Sequence, residues 1–154
     1  MKPIYTLLFL ASTALFALSS CTASGSVSNV EAKIVGTWEF DEVKFKPDGK
    51  SSYSDYSDGF KGSTVTFKEG GILEAYDKDL DTTASGYWYI DYYEEYDSDG
   101  DTRKTIYYMV GTLDIPELNI YTDLLWDELS VSNKRLSAIE EDKKDGKFRY
   151  KMVR

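Results

Sequence analysis

Few folds are open to a chain whose apolar residues recur with a period of two, as they do here from Ala32 onward. Residues 64–68 alternate cleanly, and residues 87–92 are mostly aromatic or β-branched. Such segments suit strands, because successive side chains point to opposite faces of a sheet. Turn signals such as Gly70-Gly71 separate the segments. The pattern predicts strands at residues 34–45, 63–68, 72–77, 85–93, 104–112, 117–122, 125–131, 135–140 and 147–153.

Short, evenly spaced strands joined by tight turns predict an all-β protein, specifically a small antiparallel up-and-down β-barrel of about eight strands. A sandwich is the alternative that this spacing leaves open. A closed barrel has no exposed strand edge, which suits a secreted chain without disulfides. No stretch of ten or more residues keeps a helical period, and 154 residues with 42% hydrophobic side chains fit one domain.

Composition excludes several classes of function. The chain has no histidine, which removes histidine-based catalytic triads and histidine metal sites. Its single cysteine allows no internal disulfide. The formal net charge of −9 argues against nucleic-acid binding, because that binding depends on basic side chains neutralising phosphates. We therefore expect no nucleic-acid partner.

The amino-terminal segment has the features of a secretory signal. Lys2 precedes an apolar run over residues 4–18 that is shorter than the roughly 20 residues a membrane span needs. The exit sequence Leu18-Ser19-Ser20-Cys21 resembles the bacterial lipobox. This resemblance implies cleavage before Cys21 and attachment of a diacylglycerol to its sulfur, and several acyl chains give stable anchoring.

The lipobox divides the chain into three parts. We expect a lipoprotein signal peptide at residues 1–20, a lipidated flexible tether at residues 21–32 rich in serine, and a barrel domain at residues 33–154. The protein is then anchored in the cell envelope. The sequence has no aspartate directly after Cys21, so the resemblance to bacterial lipoproteins favours the outer membrane, and whether the domain faces the periplasm or the surface stays open.

The first strand carries a family resemblance. Gly36-Thr37-Trp38, just after the tether, resembles the opening of lipocalins and other calycins. Residues 63–71, 86–90 and 129–136 look like successive strands of the small lipocalin-like lipoproteins of Bacteroidetes. The resemblance implies that Gly36 lets the chain bend at the barrel floor and that Trp38 plugs the closed end. It also implies a basic side chain across Trp38, for which Arg149 and Arg154 are both candidates.

The aromatic strand at residues 85–93 suggests a binding cavity. Alternation places Trp88, Ile90 and Tyr92 on one face, which we assign to the barrel interior. If the interior is open, these residues line a cavity that suits a small apolar or amphipathic ligand. An interior completely filled by side chains is favoured over an open cavity in so small a barrel. The candidate cavity residues are Phe67, Trp88, Ile90, Tyr92, Ile106 and Tyr108.

The opposite face of that strand carries Tyr87, Tyr89 and Tyr93. An outward tyrosine stripe suits contact with sugars or with a protein surface. Cross-strand aromatic pairs that only stabilise the sheet are the favoured explanation.

Catalytic and metal-binding signatures are weak. The loop Asp97–Asp101 resembles a calcium-loop fragment but lacks the EF-hand spacing, so a solvated hairpin tip is favoured and no metal site is assigned. Glu74, flanked by Leu73 and Ala75, is the best single carboxylate candidate for hydrolysis, but no second carboxylate is paired with it by the sequence. The chain contains no nucleophile elbow and no phosphate loop.

These observations favour a noncatalytic protein without a cofactor. We expect a membrane-anchored, lipocalin-like lipoprotein that binds a small apolar or amphipathic ligand in its barrel, as a monomer. The alternative is an envelope interaction module that contacts a protein or a glycan through its outer aromatic face. Fold analogy alone favours the first function.

Overall fold

The computed structural model describes residues 23–100, 103–142 and 145–154. Within them, nine antiparallel strands follow one helix, and eight of the strands form a closed barrel. The predicted all-β up-and-down barrel is therefore confirmed. The elements are α1 (Ala23–Ile34), β1 (Gly36–Pro47), β2 (Ser54–Asp55), β3 (Thr64–Lys68), β4 (Ile72–Asp77), β5 (Thr82–Tyr96), β6 (Arg103–Ile115), β7 (Ile120–Val131), β8 (Arg135–Asp142) and β9 (Gly146–Val153), with 3-10 helices at Ser57–Phe60 and Pro116–Leu118.

Pairing between the first and last strands closes the barrel. From β3 to β9 each strand pairs with its sequence neighbour, and β1 pairs with both β3 and β9. The β1–β9 ladder runs from Glu39↔Val153 to Pro47↔Gly146, with a bulge between Phe40 and Glu42. The short β2 adds two residue pairs to β1 outside the closed ring. Every barrel strand is thus hydrogen-bonded on both sides.

Some predicted strand boundaries were wrong. The strands predicted at residues 117–122 and 125–131 are one continuous strand, β7, because Asp123 and Leu124 keep their partners Thr112 and Gly111 on β6. Strand β5 extends from residue 82 to residue 96, beyond the predicted 85–93. β5 and β6 pair over twelve residues and form the longest hairpin of the described chain.

The segment predicted as a flexible tether, residues 21–32, is helical from Ala23, so this expectation was wrong. Val27, Val30 and Ile34 fall on one side of α1 and pack against the barrel core, with Ile34 fully buried. The many serines of this segment concealed this short apolar stripe. The predicted signal peptide at residues 1–20 and Cys21 lie outside the described residues. Among those described, no helix has the length and apolar character needed to cross a bilayer.

The two ends of the barrel differ, and we name them by their residues. The closed end contains Gly36, the turns at residues 69–71 and 132–134, and Arg154. The open end contains Pro47, the turn at residues 78–81 and the loop at residues 116–119. Helix α1 leads directly into the closed end, because Ile34 precedes Gly36 by two residues.

Trp38 seals the closed end from within. Its side chain is fully buried, and its Nε1 donates a hydrogen bond to the carbonyl of Ile34 at 2.7 Å. Of the two candidate basic residues, Arg154 is the one that covers it, with Cζ 4.3 Å from the Trp38 ring centroid. Arg149 lies instead over the ring of Tyr53 on the outer wall. The closed end therefore has a cation–π contact above a buried indole.

Arg154 also satisfies carbonyls that the end of α1 leaves unpaired. Its guanidinium donates hydrogen bonds to the carbonyls of Lys33 and Val35, and to that of Asn133 in the turn between β7 and β8. Gly36 follows with a φ of +133°, a conformation that side-chain-bearing residues rarely adopt. A Cβ at this position would lie 2.8 Å from Arg154 Nη1. Glycine thus permits both the bend and the close approach of Arg154.

Candidate functional site

The open end of the barrel contains a cavity of about 230 Å³. A pair of small residues explains why space remains there. Ala75 of β4 and Ala84 of β5 are directly opposite each other on the inner face. Two residues nearer the closed end, the same two strands place Leu73 opposite Gly86, and Leu73 is fully buried. Side-chain size therefore decides where the interior is filled and where it is open.

The walls of the cavity are predominantly apolar. The 3-10 helix at Ser57–Phe60 inserts Phe60 at the open end, and residues of β6 and β7 complete the far wall. The apolar and aromatic lining residues are Phe40, Phe60, Val65, Ala75, Tyr76, Leu80, Ala84, Leu113, Ile115, Leu124, Trp126 and Tyr150.

Four aromatic side chains form a continuous cluster along one wall. Phe40 and Phe60 have ring centroids 5.2 Å apart, and Tyr150 lies 5.9 Å from Phe40 and 6.4 Å from Phe60. Trp126 packs against the other side of Tyr150 at 5.5 Å. The cavity wall therefore presents aromatic rings from β1, β7 and β9 together.

One acidic residue points into the barrel. Leu136, Ala138 and Glu140 alternate on the inner face of β8, opposite Met152, Tyr150 and Phe148 of β9. Tyr150 donates a hydrogen bond from its hydroxyl to Glu140 Oε2 at 2.7 Å. Burial, together with the negative charge of Glu140, raises the pKa of Tyr150 above its ordinary value. The phenol consequently stays protonated and serves as the donor in this pair.

A second acidic residue lies at the rim. Asp77, the last residue of β4, accepts hydrogen bonds from the backbone amides of Asp79 and Leu80 and so stabilises the turn at residues 78–81. Asp77 and Glu140 are the two charged residues among those described that line the cavity. The lining is thus apolar and aromatic with a negative edge.

Trp126 carries a buried polar atom without a partner. Its Nε1 has no hydrogen-bond acceptor within the described part of the chain and is almost completely enclosed by protein. A molecule in the cavity therefore reaches the ring of Trp126 rather than its N–H. The neighbouring ring of Phe67 lies 6.0 Å away in an edge-to-face arrangement.

The residues predicted to line a cavity lie elsewhere. Phe67, Trp88 and Ile90 are buried in the interior, but toward the closed end, where side chains fill the barrel. Trp88 packs edge-to-face on Phe67 at 5.4 Å, and its Nε1 donates to the carbonyl of Ile72. Tyr92 shares their face farther along the β5–β6 hairpin, half-buried against Tyr107. These four predicted residues do not line the open-end cavity.

The placement of Ile106 and Tyr108 on the inner face was wrong. The β5–β6 register pairs Ile90 with Met109, which puts the odd-numbered residues of β6 on the inner face and the even-numbered ones on the other. Ile106 is buried, but it lies outside the main core cluster. Because Tyr107 and Tyr108 are adjacent, the sequence allows either of them to face inward. A shift of one residue along β6 exchanges its inner and outer faces.

Sequence reasoning missed most of the residues that line the open-end cavity, including Phe60, Trp126, Glu140 and Tyr150. One signal was present. Glu140 is in phase with the apolar residues Leu136 and Ala138, so a strict alternation places a carboxylate inside the barrel. Phe60 had no such signal, because it precedes β3 in a loop whose path over the open end depends on tertiary packing.

The outward tyrosines form an exposed surface. Tyr87 is 72% exposed, and Tyr89 is joined by Val110 and Leu125 on the neighbouring strands in register. We call Ile72, Tyr87, Tyr89, Val110, Tyr121 and Leu125 the outer aromatic face. Tyr93 and Tyr108 adjoin it, each donating a hydrogen bond to an aspartate, Asp127 and Asp91 respectively.

The described part of the calcium-loop fragment, residues 97–100, forms no metal centre. Asp101 lies outside the described residues, as does residue 102. Within the described chain, no three carboxylate or thiol side chains come close enough together to hold a metal ion. Glu74, the weak hydrolase candidate, lies on the outer wall and forms an ion pair with Lys68.

Comparison with family models, with curated proteins and with solved structures found no match for this chain.

Proposed function

We propose that this protein is a noncatalytic binding protein that takes a small apolar or amphipathic molecule into the open-end cavity. The observation that carries this proposal is the apolar, partly enclosed volume of about 230 Å³. A dry cavity of about 150 Å³ is sufficient for benzene, whereas drug-sized ligands need about 300 Å³ or more. The cavity therefore suits a single ring with a short substituent, or a short alkyl chain.

A titration with benzyl alcohol tests this proposal. NMR signals of the purified protein from residues around Ala84 and Trp126 should shift and saturate, and the Ala84→Leu variant should lose the saturable shift because leucine fills the cavity. Thr83→Leu is the matched control, because Thr83 is the residue before Ala84 and its side chain lies on the opposite, exposed face of β5. Equal binding by both variants, or no saturation by the unsubstituted protein, would contradict the proposal.

Native mass spectrometry of protein purified from envelopes gives a second test. A retained small molecule, lost in the Ala84→Leu variant, would support binding in the cavity and reveal the natural ligand. Retention of the same molecule by the variant would place it outside the cavity.

We further propose that the protein is a lipocalin-like lipoprotein of the Bacteroidetes type, anchored through Cys21, with the outer membrane favoured. The lipobox supports this proposal, and the start of α1 at Ala23 leaves one residue between Cys21 and the folded domain. Cys21→Ala should release a soluble barrel into the aqueous envelope fraction. Persistent membrane association of that variant would contradict lipid anchoring.

The exposure of the outer aromatic face favours a second candidate function, contact with a protein or a glycan at the envelope. Tyr87 and Tyr121 are 72% and 66% exposed, and both lie on regular strands rather than loops. Flat, rigid tyrosine surfaces suit stacking. Cosedimentation with insoluble envelope polysaccharide should fall in a Tyr87→Ser/Tyr89→Ser variant and persist in Tyr56→Ser. No difference between these variants would remove the glycan role.

A further inference from the structure

We infer that the β5–β6 hairpin carries a docking edge for an extended, basic peptide segment of a partner protein. This inference goes beyond the proposed function, because it concerns a strand edge rather than the cavity or the outer aromatic face. It is carried by backbone groups of β5 that the barrel leaves unpaired and by an acidic groove at the start of that edge.

Strand β5 continues beyond its neighbour β4. The ladder between them ends at Ile72↔Tyr87, and one further hydrogen bond runs from the amide of Trp88 to the carbonyl of Gly71. From there β5 continues to Tyr96 and pairs on its other side with β6. Residues 89–96 thus have a neighbouring strand on one side only, which leaves an edge open for pairing.

The direction of the Trp88 amide identifies the backbone groups on this edge. Successive residues of a strand direct these groups to alternate sides, so residues in phase with Trp88 direct theirs away from β6. We call these outward groups the free edge, and they belong to Ile90, Tyr92, Glu94 and Tyr96. Within the described chain, the one hydrogen bond from these amides joins Tyr92 to Oδ1 of Asp91. A neighbouring carboxylate therefore takes the place of a strand carbonyl.

A groove of about 490 Å³ lies at the start of the free edge. It is lined by α1, by the turn at residues 69–71 and by Trp88. Gly71 directly precedes β4, so a strand added along the free edge would extend the line of β4 with one end at this groove. The groove therefore provides room for side chains of an added strand.

The groove carries negative charge. Glu31 and Glu69 line it, and among the described residues neither a lysine nor an arginine does. Lys33 and Lys68 are the nearest cations in sequence, and Lys68 pairs instead with Glu74 on the outer wall. Neither Glu31 nor Glu69 forms an ion pair within the described part of the chain. Carboxylates in this position attract lysine and arginine side chains of a partner.

A second copy of this chain fits the edge less well than a basic segment does. Antiparallel pairing of two free edges would bring the hairpin tip of one copy, which includes Asp99, toward Glu31 and Glu69 of the other. Like charges on paired strands destabilise the pairing. A segment that alternates basic and β-branched residues has the opposite charge and readily forms a strand. It would bind through main-chain hydrogen bonds, as in other cases of strand addition.

Two capped octapeptides, four repeats of Lys-Val and four repeats of Glu-Val, test the inference. We expect the Lys-Val peptide to bind the purified protein saturably in NMR titrations, at least about tenfold more tightly than the Glu-Val peptide. At saturation, hydrogen exchange of the Glu94 and Tyr96 amides should slow by at least about fivefold, and that of Tyr93 and Glu95, which face β6, should change less. Binding that leaves the Glu94 and Tyr96 amides unprotected would overturn strand addition.

A proline on the free edge tests the backbone directly. Glu94→Pro removes an N–H that points away from β6, whereas Glu94→Ala removes the same carboxylate and keeps that N–H. We expect the proline variant to bind the Lys-Val peptide at least about tenfold more weakly than the alanine variant. Equal affinities would contradict pairing at this edge. Hydrogen exchange in the unsubstituted protein decides the matter even if Glu94→Pro does not fold.

Paired charge variants test the groove. Glu31→Gln/Glu69→Gln should weaken binding of the Lys-Val peptide by about threefold or more. Glu74→Gln/Glu141→Gln removes two carboxylates from the outer wall, where they pair with lysines, and should preserve binding. An equal loss in both double variants would show that net charge alone attracts the peptide, and would overturn the role of the groove.

Two further outcomes would overturn the inference and leave cavity binding untouched. One is that the unsubstituted protein binds neither peptide. The other is self-association with increasing protein concentration that slows exchange of the Glu94 and Tyr96 amides, which would assign the free edge to a second copy of this chain.

Discussion

The closed and open ends of this barrel share the same strands and differ in how completely their side chains fill the interior. At the closed end, Trp38, Phe67 and Leu73 are almost completely buried and interlock. At the open end, Ala75 and Ala84 occupy the corresponding inward positions, and space remains. The backbone ladder continues through both regions. The difference shows that the cavity comes from the choice of side chains on a common scaffold and requires no change of strand pairing.

The largest effect should come from the indole of the closed end. Trp38→Ala removes a fully buried ring and its hydrogen bond to Ile34, so we expect a loss of about 3–5 kcal/mol in the free energy of unfolding. Phe60→Ala at the open end removes a half-buried ring beside existing space and should cost about 2 kcal/mol or less. Urea denaturation of both variants measures the difference. Equal losses would mean that the two ends are packed alike.

A smaller effect should follow from the arginine that covers Trp38. Arg154→Ala removes three hydrogen bonds to carbonyls and the contact with the indole, and we expect a loss of about 2 kcal/mol. Arg149→Ala is the matched control on the outer wall and should cost less than about 1 kcal/mol. If Arg149→Ala lowers the free energy of unfolding more than Arg154→Ala does in the same denaturation experiment, the special role of Arg154 at the closed end is contradicted.

The third prediction concerns the open end in alkaline solution. The pKa of Tyr150 is raised in the folded protein, so its stabilising contribution is complete below the pKa of about 10 that tyrosine has when unfolded. As the pH rises above about 10, the unfolded chain releases this proton first and stability falls. At pH 11 the loss from this group is on the order of 1 kcal/mol. Tyr150→Phe should therefore show a shallower fall in stability between about pH 9 and pH 11, and an unchanged slope would contradict the assignment.

The smallest effect should come from the outer wall between the two ends. Glu42 forms ion pairs with Lys44 and Lys151 across β1 and β9, and its hydrogen bonds to Lys151 and Lys44 lower its pKa. Exposed ion pairs stabilise little, so Glu42→Gln should change the free energy of unfolding by less than about 1 kcal/mol at neutral pH. A loss comparable to that of Trp38→Ala would show that wall charges, rather than interior packing, hold the barrel together.

The fold was predictable from the sequence, because a period of two and regular turn signals are local properties of the chain. The short motif around Gly36 and Trp38 also directed attention to the end where Arg154 lies. Helix α1 escaped prediction because its apolar stripe has only a few members, such as Val27 and Val30, within a serine-rich segment.

The candidate site could not be predicted as a unit, because its parts depend on non-local register. The phase of β6 is set by its pairing with β5, and the adjacent tyrosines at 107 and 108 satisfy either phase. The cavity itself depends on Ala75 meeting Ala84 and on Phe60 reaching the open end. Glu140 differs from these residues, because its alternation with the apolar residues of β8 is a local signal for an inward position.

The ladder between β1 and β9 also bears on when this protein can fold. Residues 39–47 find the partner strand that closes the ring only in residues 146–153, so synthesis must pass through all the strands from β2 to β8 before the ring can close. A nascent chain that has emerged only as far as β8 presents two open strand edges that still lack a partner. Such late closure lengthens the time during which the chain is not fully folded. An incompletely folded chain suits the passage through a narrow export channel that the proposed secretion requires.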